Sequence, residues 1–292
     1  MDGPMHSRPL VLLTGSAGRV GKALREAMAS SWNLQPYSRN PEQTCLPLSS
    51  LSTSNSPIHG DALIHAAWSS VPATAEAAGP DAAKPDLDLL ASLLANCSAS
   101  PNPPLFIFLS TGAVYGNAGP HPSTESDTPA PIGRYASAKL EAESLIRASG
   151  LPHAILRISN LYGIPSHPND AQGAVGKLIH AARSGQTFTR WGGDSIKDYL
   201  HGSDCFRSLD LIVRSRLAGL WNIASGRPTR LSDLVSLVEI TTRRQITVTS
   251  GPPVPWDVSD NRIDPSRFIA ATGWNPLISL EAGLELAAAN SL

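Results

Sequence analysis

Charge is scarce in this chain of 292 residues, with Asp, Glu, Lys and Arg making up 16% of it against roughly 25% in an ordinary globular protein. The net charge is -1, and the few charges are scattered. Nucleic-acid binding needs a basic excess on one face, so no such partner is expected. No polybasic or acidic tail is visible either. Cysteine is rarer still. Cys45, Cys97 and Cys205 are odd in number and far apart, with no CxxC. That argues against a disulfide framework and fits a reducing compartment. The eight histidines include no HxxxH pair and no cluster with cysteine, so no metal site is expected. No apolar stretch approaches the ~20 residues of a membrane span. The run PLVLL is too short for a signal segment and leads straight into a Gly-rich turn, so it reads as a strand of a cytoplasmic protein. There is no internal repeat and no low-complexity linker.

Short apolar runs alternate with amphipathic segments. Residues 1–8 read as a disordered leader. Leu10–Leu13, Asn33–Tyr37, ALIHAA at 62–67, LFIFL at 105–109 and HAILRI at 153–158 read as strands, most of them apolar on both faces, as buried parallel strands are. Helices are expected after the first strand, with Val20, Ala23, Leu24, Ala27 and Met28 on one side, over Leu87–Cys97, and over Arg134–Ser149. The last ends where Gly150 can adopt a left-handed turn. Residues 38–60 and 71–85 are rich in Ser, Pro, Ala, Asn and Gly and read mainly as loop. This order predicts an α/β fold, a doubly wound parallel sheet. From about residue 164 the pattern changes. Helices at Ala174–Ser184, Leu231–Thr242 and Leu280–Ala289 and strands at Leu220–Ala224 and Ile246–Thr249 follow. The division expected is residues 9–163 with 196–225 as the sheet domain and 164–195 with 226–292 as a smaller lobe over its C-terminal edge, where ligands of such sheets bind.

Gly15, Gly18 and Gly21, in TGSAGRVG, follow the first strand and open the first helix. A tight turn needs positive φ, a pyrophosphate needs close backbone approach, and the helix start offers free N–H groups, here of Arg19 and Val20. A dinucleotide is therefore expected. At the end of the second strand an acid would bond a ribose 2′-hydroxyl. PYSRN places Ser38 and Arg39 there instead, with Arg19 in the loop itself. A hydroxyl and a guanidinium suit a 2′-phosphate, so NADP is preferred, with NAD the alternative. LSTGAVYG puts the hydroxyls of Ser110 and Thr111 at the end of the strongest strand. Tyr135 and Lys139 lie four residues apart on one helical face. An ammonium beside a phenol lowers its pKa, which suits proton transfer near neutral pH.

TGSAGRVG, LIHAA, LSTGAVYG, YASAK, LRISNLYG, KDYLHGSD, LWNIASG and ATGWNP occur in that order over residues 9–290. In this the chain resembles the extended short-chain dehydrogenase/reductases, the NAD-dependent epimerase/dehydratase family acting mostly on nucleotide-sugars. The resemblance implies roles by position. Thr111 bonds the substrate oxygen, Tyr135 is the acid/base, and Lys139 holds the nicotinamide ribose and lowers the Tyr135 pKa. Ala66 and Ala67 pass beside the cofactor, while Asn160 and Lys197 face the substrate, Lys197 where the family usually has Arg. The chain also departs from the family. Gly112 and Ala113 follow Thr111 where dehydratases carry an acid pair, which argues against 4,6-dehydration. Val254 stands where a phosphate-clamping Arg is usual, with Arg262 a candidate substitute, and Asp86 replaces a supporting Asn.

Three readings follow. The first is an NADP-dependent keto-sugar reductase, the second an epimerase that recycles its cofactor. The third is a cofactor-binding regulator of the same fold, a reading that the retained Tyr135–Lys139 pair disfavours. The resemblance further implies a homodimer through the Leu87–Cys97 and Arg134–Ser149 helices, with Leu140, Ser144 and Ile146 either dimer surface or core.

Overall fold

The computed structural model describes residues 8–40, 44–53, 57–164 and 173–290, so residues 1–7 of the expected leader lie outside it. The first half runs β1 (Leu10–Thr14), α1 (Arg19–Met28), β2 (Asn33–Ser38), β3 (Leu46–Pro47), α2 (Ser49–Ser52), β4 (Ala62–His65), α3 (Pro72–Ala78), α4 (Lys84–Ser98), β5 (Leu105–Thr111), α5 (Arg134–Ala148) and β6 (His153–Ile158). Then come β7 (Asn160–Tyr162), α6 (Gly173–Ser184), β8 (Phe188–Trp191), β9 (Ile196–His201), α7 (Gly202–Ser215) and β10 (Gly219–Ile223). The chain closes with β11 (Pro228–Arg230), α8 (Leu231–Thr242), β12 (Val248–Gly251), β13 (Asp260–Asn261), α9 (Ser266–Thr272) and α10 (Leu280–Asn290).

Seven strands form one sheet in the order β10-β6-β5-β4-β1-β2-β3, every pairing parallel. The doubly wound parallel sheet is thus present. Strand alternation sends successive side chains to opposite layers. Val11 and Leu13 join Leu105 and Ile107 in a core with Leu24, Leu209 and Phe268. Leu12, Leu63, Phe106 and Phe108 join Leu90, Leu93 and Ile146 on the other side. Ile146 is therefore core, whereas Ser144 and Leu145 lie on the exposed side of α5. A third core, with Leu178, Leu234, Val238 and Leu284, belongs to the helices after residue 173.

The strand order reverses at β1, between β2 and β4, a switch point where such sheets open a crevice at their carboxyl ends. Beyond it, β9 pairs with β7, β11 and β13 as a second sheet. The stretch 71–85 is not mainly loop. It holds α3 and a 3-10 turn over Pro80–Ala83, because Pro72 sits in the first turn, where its missing N–H costs nothing. In the second half, α7, α9, β7, β8, β9, β11 and β13 join the elements expected there, and the strand expected at Ile246–Thr249 lies at Val248–Gly251.

Candidate active site

The glycine loop is shaped by contacts that leave no room for side chains. Gly15 has φ +72°, and a Cβ there would come within 2.6 Å of the Ala66 carbonyl carbon and the Ala67 nitrogen. A Cβ on Gly21 would lie 2.2 Å from the Gly15 carbonyl oxygen. Gly18 donates its N–H to Gly15 O at 2.9 Å and is the N-cap of α1, with no side chain to bond the first helical N–H groups. The cradle thus joins the end of β1 to the end of β4 at the switch point. It fits a pyrophosphate, which needs a bare backbone and a helix start.

Arg39 does not stand free at the end of β2. Its guanidinium forms an ion pair with Asp86, a fully buried carboxylate in the first turn of α4. Asp86 also accepts from the Ser69 N–H at 2.9 Å and the Ser69 hydroxyl at 2.6 Å. Ser38 donates to the Asn40 carbonyl at 3.1 Å. Ser38 and Arg39, expected at a 2′-phosphate, are thus both engaged within the chain. Arg19 makes no hydrogen bond or ion pair with the described residues, and partial burial holds its pKa below the usual value.

Thr111 ends β5, and its hydroxyl accepts the Ala113 N–H at 3.2 Å. Ser110 faces the other way and donates to Glu143 at 2.6 Å. Glu143 is also held by Arg157, from Nε at 3.1 Å and Nη2 at 2.8 Å. This buried ion pair ties β5, α5 and β6 together. Lys139, 4% exposed, donates to the Leu109 carbonyl at 2.9 Å. Its ammonium lies 4.0 Å from the Trp68 ring centroid, 4.5 Å from Phe108 and 6.0 Å from Tyr135. Burial lowers the Lys139 pKa to about 7, against the pull of Asp86 and Glu143. Burial pushes the Tyr135 phenol up to about 12. The expected lowering of the Tyr135 pKa by Lys139 is thus not what this arrangement gives, because the ammonium turns to Leu109 and desolvation dominates.

Asn160 donates to the Asp198 carbonyl at 2.8 Å and to Asn261 at 3.3 Å, and Asn261 donates to the Gly112 carbonyl at 3.1 Å. Asn261 therefore links Asn160 to the residue after Thr111. Lys197 pairs with Asp257 at 2.7 Å. Arg262, the candidate clamp, is bound to Asp260 through Nε and Nη2, each at 2.8 Å. The structure brings Thr111, Tyr135 and Lys139 to one edge of the sheet and joins Asn160 to it through Asn261. Ala66 and Ala67 lie against the glycine loop, and Arg39 stands at the far side, on Asp86. Trp68, Glu143 and Asn261 are not singled out by the sequence. Only Glu143 carries a signal there, four residues beyond Lys139 on the same helix.

A glycine cradle at the switch point, with a Tyr, a Lys and a Thr at the adjoining strand ends, is the layout of a dinucleotide-dependent enzyme of the short-chain dehydrogenase/reductase type. Residues 11–224 match the NAD dependent epimerase/dehydratase family, and the chain belongs to it. Over 193 residues it is 30% identical to the low-salt glycan biosynthesis protein Agl12 of Haloferax volcanii, covering 62% of this chain and 59% of that one. It is also 30% identical to the dTDP-glucose 4,6-dehydratase of Salmonella typhimurium over 208 residues, 61% of this chain and 55% of that one. The match thus spans less than two thirds of these relatives' length. In fold it is similar to the UDP-glucose 4-epimerase of Thermus thermophilus in complex with NAD, with a TM-score of 0.84, 22% identity and coverage of 97% and 98%. MoeE5 in complex with UDP-glucose and NAD gives 0.85, 25%, 96% and 98%.

Proposed function

We propose that this protein interconverts a carbinol and a ketone on a sugar, nucleotide-linked, with Tyr135 as acid/base. The observation that carries the reading is that Lys139, 6.0 Å from the Tyr135 ring, is anchored on the Leu109 carbonyl of β5, the strand that Thr111 ends. Bound at that cradle, a nicotinamide dinucleotide accepts or supplies the hydride. In the reducing direction the neutral Tyr135 phenol gives its proton to the substrate oxygen, and in the oxidising direction the Tyr135 phenolate takes the carbinol proton as the hydride leaves. Thr111 donates a hydrogen bond to the same oxygen. Lys139, a few ångströms below, sets the charge of the site. Residues 9–163 with 196–225 form the dinucleotide unit in this reading. Residues 164–195 with 226–292 form the substrate lobe, with Asn160 and Lys197 at its boundary.

Of the two directions, epimerisation with retained NAD now leads. The reductase reading depends on a free Arg39, and Asp86 holds that side chain. An epimerase oxidises the carbinol, lets the keto sugar turn and reduces its other face. NADP-dependent reduction is the second reading, favoured by Arg19, which has no partner among the described residues. Dehydration is disfavoured, since Gly112 and Ala113 follow Thr111 where dehydratases carry an acid pair. A cytoplasmic setting fits three buried cysteines that form no disulfide. Among the described residues no helix is long and apolar enough to cross a membrane. A homodimer would use the outer face of α5, where Leu145 is exposed.

The test is to incubate the protein with UDP- and dTDP-hexoses, separate the sugars and follow nicotinamide absorbance. Interconverted isomers without net nicotinamide change support the epimerase. Stoichiometric nicotinamide oxidation supports the reductase. A turnover undiminished in Tyr135→Phe sinks the mechanism.

A further inference from the structure

Resting on the dinucleotide reading above, one residue outside the glycine loop and the Tyr–Lys pair stands out. Asp86 is fully buried, and its three protein contacts come from two directions. Ser69 N–H and hydroxyl reach it from the end of β4, and Arg39 reaches it from the end of β2. The Arg39 side chain is 43% exposed, so it is the movable partner and Asp86 the fixed one. The position after β2 is where a Rossmann sheet reads the adenosine 2′-substituent, by an acid for a hydroxyl or an arginine for a phosphate.

A guanidinium at this position would ordinarily point to a 2′-phosphate. Here that phosphate has to draw Arg39 away from a carboxylate that has left water and depends on it. Removing one partner of such a pair is costly, because the other is left buried and unpaired. A phosphate that shares Arg39 instead of capturing it meets the Asp86 charge at close range. Ser38 offers no relief, as its hydroxyl is spent on Asn40. A 2′-hydroxyl carries no charge and asks for none of this.

We propose that Asp86 is the cofactor-specificity residue of this site: by holding Arg39 it withholds the guanidinium from a 2′-phosphate, so that the chain takes NAD in preference to NADP. The specificity is thus set 47 residues away from the arginine that a reading of the β2 end alone would credit. Arg19 is the remaining cation near the loop, and its contribution is separable by substitution.

The experiment is a set of fluorescence titrations of the nucleotide-stripped protein with NADH and with NADPH, for the natural chain, Arg39→Ala, Asp86→Asn and the double variant. The natural chain should bind NADH more tightly, by about tenfold or more, which corresponds to about 1.4 kcal/mol. Asp86→Asn should tighten NADPH binding by at least about tenfold relative to NADH, and the gain should vanish in the double variant. Arg39→Ala alone, which leaves Asp86 buried without its cation and is therefore checked for folding by circular dichroism, should move the NADPH/NADH ratio by less than about threefold. Where Asp86→Asn folds poorly, Asp86→Ser, which is smaller and also frees Arg39, makes the same test. A natural chain that prefers NADPH and loses that preference in Arg39→Ala overturns the proposal, as does an unchanged ratio in folded Asp86→Asn. A natural chain that binds neither nucleotide overturns the dinucleotide reading itself, and the proposal with it.

Discussion

The Lys139 ammonium lies 4.0 Å from the centroid of the Trp68 ring. Phe108 flanks it at 4.5 Å, and it donates a hydrogen bond to the Leu109 carbonyl at 2.9 Å. An aromatic face attracts a desolvated cation, yet rings and one carbonyl replace water poorly. That is why the Lys139 pKa falls to about 7.

Its consequence for stability has a definite sign. Between about pH 7 and pH 10.5, the two ends of the Lys139 shift, the unfolded chain binds a proton that the folded chain does not. Stability therefore rises with pH through that window, by up to about 1.4 kcal/mol per pH unit. Below about pH 7 the whole cost of burying the cation is present. Lys139→Met, similar in length and uncharged, should be more stable than the natural chain below about pH 7, and the advantage should shrink as pH rises. Urea unfolding across a pH series measures this. A difference that does not change with pH would show that Lys139 is not buried as a cation.

Tyr135 gives the complementary prediction. With the phenol pushed up to about 12 in the nucleotide-free protein, it is neutral there across the working range and ready to donate, whereas the oxidising half of an epimerisation starts from its small phenolate fraction. Ultraviolet titration of the nucleotide-free protein, read as the difference from Tyr135→Phe, should show no tyrosinate near neutral pH. The same substitution should cost about 10²- to 10⁴-fold in turnover, as loss of a general acid–base does. A tyrosinate signal near neutrality would restore the tuning by Lys139 that the spacing suggests.

How much of this is legible in the chain depends on where a residue's partner lies. LFIFL and ALIH announce themselves because both faces of β5 and β4 are buried, and Tyr135–Lys139 shows because helical spacing is local. Gly15 and Gly21 are likewise readable, since the turn that needs them is made by their own segment. β9 is hidden by IKDY, whose Asp198 is buried because it accepts from Ser225 and the Arg227 N–H, a bond made across the fold. α7 does carry a helical period in Cys205, Phe206, Leu209, Ile212 and Val213, but its polar start conceals it. The Arg39–Asp86 pair, the Trp68 lid on Lys139 and the Asn261 bridge are long-range contacts, and no periodicity reports them.

His65 should make the protein sensitive to mild acid. It is 1% exposed, bonded through Nδ1 to the Thr14 hydroxyl at 2.8 Å, and burial with Lys139 nearby drives its pKa down to about 3 from 6.5. Between those values the unfolded chain binds the proton and the folded one refuses it, so stability falls as pH drops from about 6.5 towards 3. His65→Asn, which keeps a partner for Thr14, should flatten that part of the curve. Equal slopes in the two proteins would remove His65 from the account.

In the glycine cradle the expected effects are on binding and stability together. Gly21→Ala drives a Cβ to 2.2 Å from the Gly15 carbonyl oxygen, a backbone atom that cannot swing aside. The loop must open, at a cost of about 1–3 kcal/mol, and the N–H groups that receive the pyrophosphate move with it. NADH titration should show weakened binding, and thermal unfolding should show a lower midpoint. Gly18→Ala is the milder control, since its Cβ would stand 3.1 Å from the same oxygen.

At Gly112, the residue after Thr111, the crowding comes from a side chain instead. A Cβ at Gly112 would lie 2.0 Å from Ile263 Cδ1 but 3.3 Å from Cγ1 and 3.5 Å from Asn261 Oδ1. One methyl group therefore accounts for most of the conflict. Gly112→Ala should destabilise by about 1–3 kcal/mol, as overpacking does. Ile263→Val removes that methyl and alone should cost about 0.5–1.5 kcal/mol. In the double variant the two losses should not add, because each change relieves the other, and the coupling should reach about 1 kcal/mol or more. Denaturant unfolding of the four proteins closes the cycle. Additive losses would remove Ile263 from the account of why Gly112 carries no side chain.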